Sequence, residues 1–349
     1  MTKTNVPRIE CKNLWKVFGK NSHDVLNDIT RDGLSKEQAQ IRHDCIVGVN
    51  NVSLKINKGE IFCIMGLSGS GKSTLVRHIN RLIEPTSGQV IVDGVDIATF
   101  DSKSLASFRS NNVGMVFQHM ALWPHRSIRD NVAYSLELRG VKKPERHKAA
   151  AAVLEQMKLK GWDNKYPDEL SGGMQQRVGL ARALVGNPDI LLMDEPFSAL
   201  DPLIRTELQQ QFLELSATLN TTTLFITHDL EEAIRLGHRV AIMKDGVIVQ
   251  VGTPEDILHN PADDYVKSFV KGISRLRYVT AQQAMVPLER YGMIEKMPAP
   301  AAMIDVDSDI KSIIDQVLAN NDPTVVEKNG KPVGVITADS LLKVIKVNV

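Results

Sequence analysis

Hydrophobic and polar positions set out the first part of the chain as strands. "RIECKNLWKVF" and "VGVNNVSLKI" show the alternation of half-buried strands. "GEIFCIMG" is a short apolar run, a buried strand leading into a glycine-rich loop. "GQVIVDGVDI" sets Asp93-Gly94 between β-branched residues, a hairpin signal. A polar stretch, 19–47, interrupts this antiparallel β-region. Within it "SKEQAQI" predicts a helix capped by Ser35. The stretch reads as a solvent-exposed insertion without chemistry.

From about 102 to 187 the pattern turns helical, and "PERHKAAAAVLEQMKL" is built from strong helix formers. Strands and helices then alternate through "DILLMDEP", "PLIRTELQQQFLELSATL", "TTLFITH", "DLEEAIRLG" and "RVAIMKDG". That alternation predicts an α/β fold with a mostly parallel core sheet. Past Gly272, "MVPLERYGMIEKMPAPAAM" holds three prolines and little periodicity, which predicts a linker or degenerate element over 272–300. A compact α+β unit is expected over 301–349. There "IKSIIDQVL" is helical, "TVVE" and "VGVIT" are strands, and "KNGK" is a hairpin turn.

Composition bounds this picture. A chain of 349 residues exceeds one ordinary core and predicts a large domain with a smaller one. Lys and Arg number 42 against 41 Asp and Glu, a net charge of +1. That balance gives no footprint for nucleic acid and no polybasic case for anionic lipid. No apolar run approaches the roughly 18–20 residues of a membrane span, and the N-terminus has no signal-peptide core. Cys11, Cys45 and Cys63 are scattered, which argues against a disulfide framework or zinc site and fits a reducing compartment.

The chemistry begins at Gly66-Leu67-Ser68-Gly69-Ser70-Gly71-Lys72-Ser73-Thr74, a full GxxxxGK[ST] between a strand and a helix. Backbone N–H groups of such a loop wrap phosphates, Lys72 adds positive charge, and the Ser73 hydroxyl can ligate Mg²⁺. "ILLMDEP" delivers Asp194 and Glu195 at a strand tip. Asp194 suits Mg²⁺ through water, and Glu195 suits the general base that polarises water. His228 in "LFITHD" and Gln118 in "MVFQHM" also end strands. Gln118 can offer an amide oxygen to Mg²⁺ or orient water, and His228 can reach a γ-phosphate. Either alone would be uninformative. A second glycine pair, "LSGGMQQR", puts Ser171, Gly172 and Gly173 at a helix start, an anion site with a positive dipole end.

In this order "GLSGSGKST", Gln118, "LSGGMQQR", "LLMDEP", "SALD" and His228 resemble the ATP-binding-cassette (ABC) ATPases over about Arg8 to Lys271. The resemblance implies a P-loop fold with an antiparallel β-subdomain and a helical subdomain. It implies ATP and Mg²⁺ as ligands and a head-to-tail homodimer. Ser171, Gly172 and Gly173 then act in trans on the partner's ATP, and Asp201 of "SALD" crosses the dimer seam. Phe18 matches the aromatic that stacks on adenine; Trp15 is the alternative, with the wrong spacing. A free single cassette implies an importer subunit on the cytoplasmic face of the plasma membrane. It docks on separate permease subunits through the segment "HMALWPHRSIRDNVAYSLELRG", and serves an external substrate-binding protein. No nucleic acid is implied.

"EIFCIMGLSGSGKSTLVRHINRLIEPTSGQVIVDGVDI", "YPDELSGGMQQRVGLARAL" and the 19–47 insertion with its "GLSKEQ" are similar to the ATP-binding subunits of glycine betaine/proline betaine importers. Choline, trimethylamine N-oxide, other small solutes and amino acids stay open as cargo, and a non-transport ABC ATPase is the rival class. "VVEKNGKPVGVITADSLL" resembles a single cystathionine-β-synthase (CBS) module. Nucleotide binding, ionic-strength sensing and packing across the subunit dimer stay open for it.

Overall fold

The computed structural model describes residues 6–118, 120–198 and 200–271, and beyond them 280–288, 303–308, 312–314 and 323–348. Contacts divide the chain into Met1–Ile257 and Leu258–Val349.

The first unit holds two sheets. One is antiparallel, built from β1 (Ile9–Phe18), β2 (Ile46–Ile56), β4 (Ser87–Val92) and β5 (Val95–Asp96) in the order β2-β1-β4-β5. Asp93 and Gly94 turn between β4 and β5 with φ of 47° and 83°, the left-handed pair of a tight hairpin. The insertion forms α1 (Ser22–Asp32) and α2 (Lys36–His43). Ser35 caps α2 reciprocally: its Oγ accepts from the Gln38 N–H at 3.2 Å, and its own N–H donates to Gln38 Oε1 at 2.8 Å. The segment is more than a solvated loop. Val25, Leu26 and Ile29 share one face of α1 and bury with Ala39 against Val17, Cys45 and Val47.

The other sheet runs β10-β9-β3-β8-β7-β6, from β3 (Ile61–Met65), β6 (Val113–Val116), β7 (Ile190–Asp194), β8 (Thr222–Thr227), β9 (Arg239–Lys244) and β10 (Val247–Gly252). All pairings are parallel except β9 with β10, a hairpin absent from the sequence reading. Every residue of β3, β7 and β8 is buried, as strands covered on both faces must be. A shared core joins the sheets: Ile9, Leu14 and Ile56 pack with Phe62, Ile64 and Leu75.

Register matters most for function. Met65 stands opposite Thr227, Asp194 opposite Ile226, and Val116 opposite Met193. The loops after β3, β6, β7 and β8 therefore leave the sheet at one edge, where parallel sheets place their ligands. Helix α3 (Lys72–Ile79) follows β3. Helices α4 (Ser102–Asn111), α5 (Ile128–Leu138), α6 (Lys143–Gln156) and α7 (Gly172–Leu184) fill the predicted helical region, with α5 packed on α6 and α7. Helices α8 (Pro202–Leu219) and α9 (Leu230–Leu236) complete the alternation, and α10 (Pro254–His259) spans the division between the units.

The second unit contains α11 (Asp264–Val270), α12 (Ala281–Ala284), a sheet and a C-terminal helix α13 (Ala338–Asn348). The sheet order is β11 (Val286–Pro287), β14 (Lys331–Ile336), β13 (Thr324–Lys328), β12 (Met303–Asp305). Asn329 and Gly330 make its hairpin turn with φ of 54° and 72°. Of the expected linker 272–300, only 280–288 is described; of "IKSIIDQVL", only 312–314, which is helical. Among the described residues no helix is long and apolar enough to cross a membrane.

Candidate nucleotide site

A cleft of about 700 Å³ opens at the shared edge of the parallel strands. Its floor is the loop after β3. Gly66 is fixed there by close approach: a Cβ on it would lie 2.1 Å from the carbonyl oxygen of Met243. Gly71 is fixed twice, by φ of 103° and by the Gly48 carbonyl, which an added Cβ would meet at 2.0 Å. The loop is thus seated on β9 and β2 and cannot settle elsewhere. Leu67, Ser68, Gly69, Gly71, Lys72, Ser73 and Thr74 line the cleft, while Gly66 and Ser70 lie buried beneath it.

Lys72 is only 5% exposed. Its ammonium donates to the carbonyls of Gly66 at 2.8 Å and Leu67 at 3.0 Å. Burial pulls its pKa down, and the negative charges of Glu195 and Asp194 push it back up. Asp194 ends β7 fully covered. Its Oδ1 accepts the Ser73 hydroxyl at 2.8 Å, and its Oδ2 faces the Arg77 guanidinium at 3.3 Å. The sequence reading missed Arg77, which reaches Asp194 from one turn further along α3.

Glu195 adopts φ of 48°, a left-handed conformation that is strained for a long side chain, by about 1–3 kcal/mol. Backbone bonds hold it there. Its N–H donates to Ile226 O at 3.1 Å, and the Ser198 hydroxyl donates to its carbonyl at 3.0 Å. The turn re-aims the carboxylate into the cleft. There Oε2 meets His228 Nδ1 at 3.1 Å and the Gln118 amide nitrogen at 3.4 Å. Gln118, Glu195 and His228, each from a different strand end, converge on one point.

Phe18 lines the opposite wall with Ile46, Val47 and Gly48. Trp15 instead packs against the insertion core. The wall residues of β2 went unread in the sequence; Gly48, a glycine inside a strand pattern, was the available signal. Besides the buried Gly66, Ser70 and Asp194, four expected residues lie off the cleft lining. Ser171 is the N-cap of α7, accepting from the Met174 N–H at 3.4 Å, and both it and Gly172 are exposed, with Gly173 partly covered. Asp201 caps α8, accepting from the Ile204 N–H at 3.1 Å. None of the four lines this chain's own cleft.

A glycine loop seated on a parallel sheet, a lysine at the helix start that follows and tip acids beside it define a P-loop nucleotide site, and the comparisons with known proteins place it in the ATP-binding-cassette class. The ABC transporter family model matches residues 49–198. The chain is 49% identical to the glycine betaine/proline betaine transport system ATP-binding protein of Salmonella typhimurium, over 96% of this chain and 82% of that one. It is 41% identical to the trimethylamine N-oxide transport system ATP-binding protein of Pelagibacter ubique, over 96% of both. Among solved structures, a dimeric ATP-binding cassette in a post-hydrolysis state with ADP and phosphate is 32% identical. It has a TM-score of 0.60 and covers 70% of this chain and 98% of its own. The chain belongs to the ATP-binding subunits of ABC transporters.

Proposed function

We propose that the chain hydrolyses ATP to energise uptake of a quaternary or methylated amine through separate permease subunits. The observation that carries this reading is near-half identity to a betaine-transport ATP-binding protein across 96% of the chain, with the cleft residues of a P-loop ATPase in place. Importer subunits of this kind sit peripherally on the cytoplasmic side of the membrane. The permease contact is read onto the α4–α5–α7 side, where Tyr134, Phe117 and Leu138 line a second groove.

The phosphate chain is bound by the loop N–H groups and by the dipole end of α3. Lys72 turns its ammonium from carbonyls to phosphate oxygens. Glu195 accepts a proton from the attacking water, and His228 and Gln118 fix the carboxylate that does so. Ser73 and Gln118 would offer oxygen donors to Mg²⁺, with the buried carboxylate of Asp194 reaching it through water, and the ion would supply positive charge against the phosphates. Ser171, Gly172 and Gly173 complete the site of a second copy, and Asp201 lies at the seam. The exposure of Ser171, Gly172 and Asp201, and the absence of all four from the lining of the chain's own cleft, support that pairing.

The test is reconstitution with the cognate permease and binding protein in vesicles. ATP-dependent accumulation of glycine betaine is expected; ATP hydrolysis without accumulation of any methylated amine would refute the transport assignment. The likeness to the Pelagibacter protein favours trimethylamine N-oxide as the second cargo to assay.

A further inference from the structure

The insertion returns to the sheet at the nucleotide cleft. Its two ends are successive rungs of the β1–β2 ladder, Phe18 opposite Ile46 and Val17 opposite Val47. Side chains alternate across that ladder. Val17 and Val47 are 1% and 2% exposed in the insertion core, and Phe18, Ile46 and Val47 line the cleft, so Val47 belongs to both. The next rung pairs Lys16 with Val49, so Gly48 is an extra, bulged residue. A Cβ on Gly48 would lie 2.8 Å from Phe18 Cε2 and 3.5 Å from Thr74 Cγ2. The Phe18 ring therefore rests on the β2 backbone between the insertion and the phosphate loop. A further tie runs from α2: Lys36 faces Asp245 at 3.8 Å, and the adjacent Gly246 N–H donates to Ser70 O at 2.9 Å. A two-residue turn suffices to close an antiparallel pair. Here the same closure carries two helices and a private core.

We infer that the 19–47 insertion is a positioning device for base recognition, its core fixing the Phe18–Gly48 wall on which the purine ring of the nucleotide stacks. Ile29, Leu26 and Val25 act through Val17 and Val47, one side chain removed from the ligand. Loss of their packing loosens the Phe18 ring and its strand end, whereas the phosphate loop keeps its seat against Met243 O and its bond from the Gly246 N–H to Ser70 O. The inference rests on the reading of the cleft as an ATP site.

Calorimetric titration of the full chain with ADP and with pyrophosphate separates base from phosphate recognition. Ile29→Ala is expected to weaken ADP roughly threefold to tenfold, up to the size of one lost base–aromatic stack, and to leave pyrophosphate unchanged. In a Phe18→Ala background, Ile29→Ala should add nothing further to the ADP loss. Ile29→Val, a one-methylene deletion, serves if the alanine variant does not fold, and its smaller shift should show the same base selectivity. Equal losses on both ligands, additivity with Phe18→Ala, or unchanged ADP affinity would each overturn the inference. Wild-type protein that binds neither ligand would instead remove the reading of the cleft itself.

Discussion

Helices α3 and α7 both have glycine at their start, Gly71 as the N-cap of α3 and Gly172 as the first residue of α7, and both turn backbone N–H groups and a positive dipole end outward. The start of α3 is locked from behind. Backbone carbonyls of Met243 and Gly48 press on Gly66 and Gly71, and Lys72 and Asp194 are buried beside it. The start of α7 is open. A Cβ on Gly172 would meet nothing within 4 Å, and one on Gly173 would meet only the side chains of Ile204 and Leu200. One end is a finished phosphate cradle with its own cation and acids. The other is a bare set of donors facing water. The difference teaches that helix-dipole chemistry alone does not complete a site; the surrounding chain decides whether the site belongs to one molecule or to two.

The largest expected effects fall on the finished end. Glu195→Gln should lower phosphate release on the order of 10²–10⁴-fold and retain ATP binding, because it removes a proton acceptor and keeps the shape. Sedimentation of this variant should reveal an ATP-dependent dimer; persistent monomers at saturating ATP would break the two-molecule reading. Next, Ser171→Arg at the open end should abolish most turnover while ATP affinity of dilute chains stays within about twofold, since nothing near the cleft changes. A matching loss of ATP affinity would return α7 to its own chain's site. Mixing Ser171→Arg with Lys72→Ala should restore part of the turnover, because a mixed pair retains one intact composite site.

The comparison sharpens further in stability. Gly71→Ala meets both a left-handed φ and a backbone carbonyl, so a loss of at least about 1–3 kcal/mol is expected by urea unfolding. Gly172→Ala should move stability by no more than about 0.5 kcal/mol, having open space to fill. Equal losses would mean that the two helix starts are equally constrained.

The loop and the tip acids were legible as contiguous patterns after apolar strands, whereas Gln118 and His228, single residues uninformative alone, were legible only through their order within the family resemblance. The parallel sheet followed from alternation, and its register then made their convergence inevitable. The insertion core was not legible. Val25, Leu26 and Ile29 sit among charged residues, and their partners Val17 and Val47 lie on strands whose pairing sequence alone does not set. Nor could sequence reveal that Glu195 is left-handed, since the bonds that hold it come from β8 and Ser198. Arg77 was hidden by its ordinary place on a helix. β10 was hidden because "VIVQVG" follows a turn signal that also suits an ending chain segment.

The ladder that closes the insertion also makes it an access point for instrumentation. Its ends are held one strand spacing apart, about 5 Å, whatever length lies between them. Gly33, at the α1–α2 turn, has φ of 64° and empty space around its Cα. A fluorescent protein or a reactive dye spliced there would ride on the segment that supports the base-stacking ring and stay clear of the phosphates. It would convert nucleotide occupancy of a working transporter into an optical signal, read in real time from a position the hydrolytic chemistry never touches.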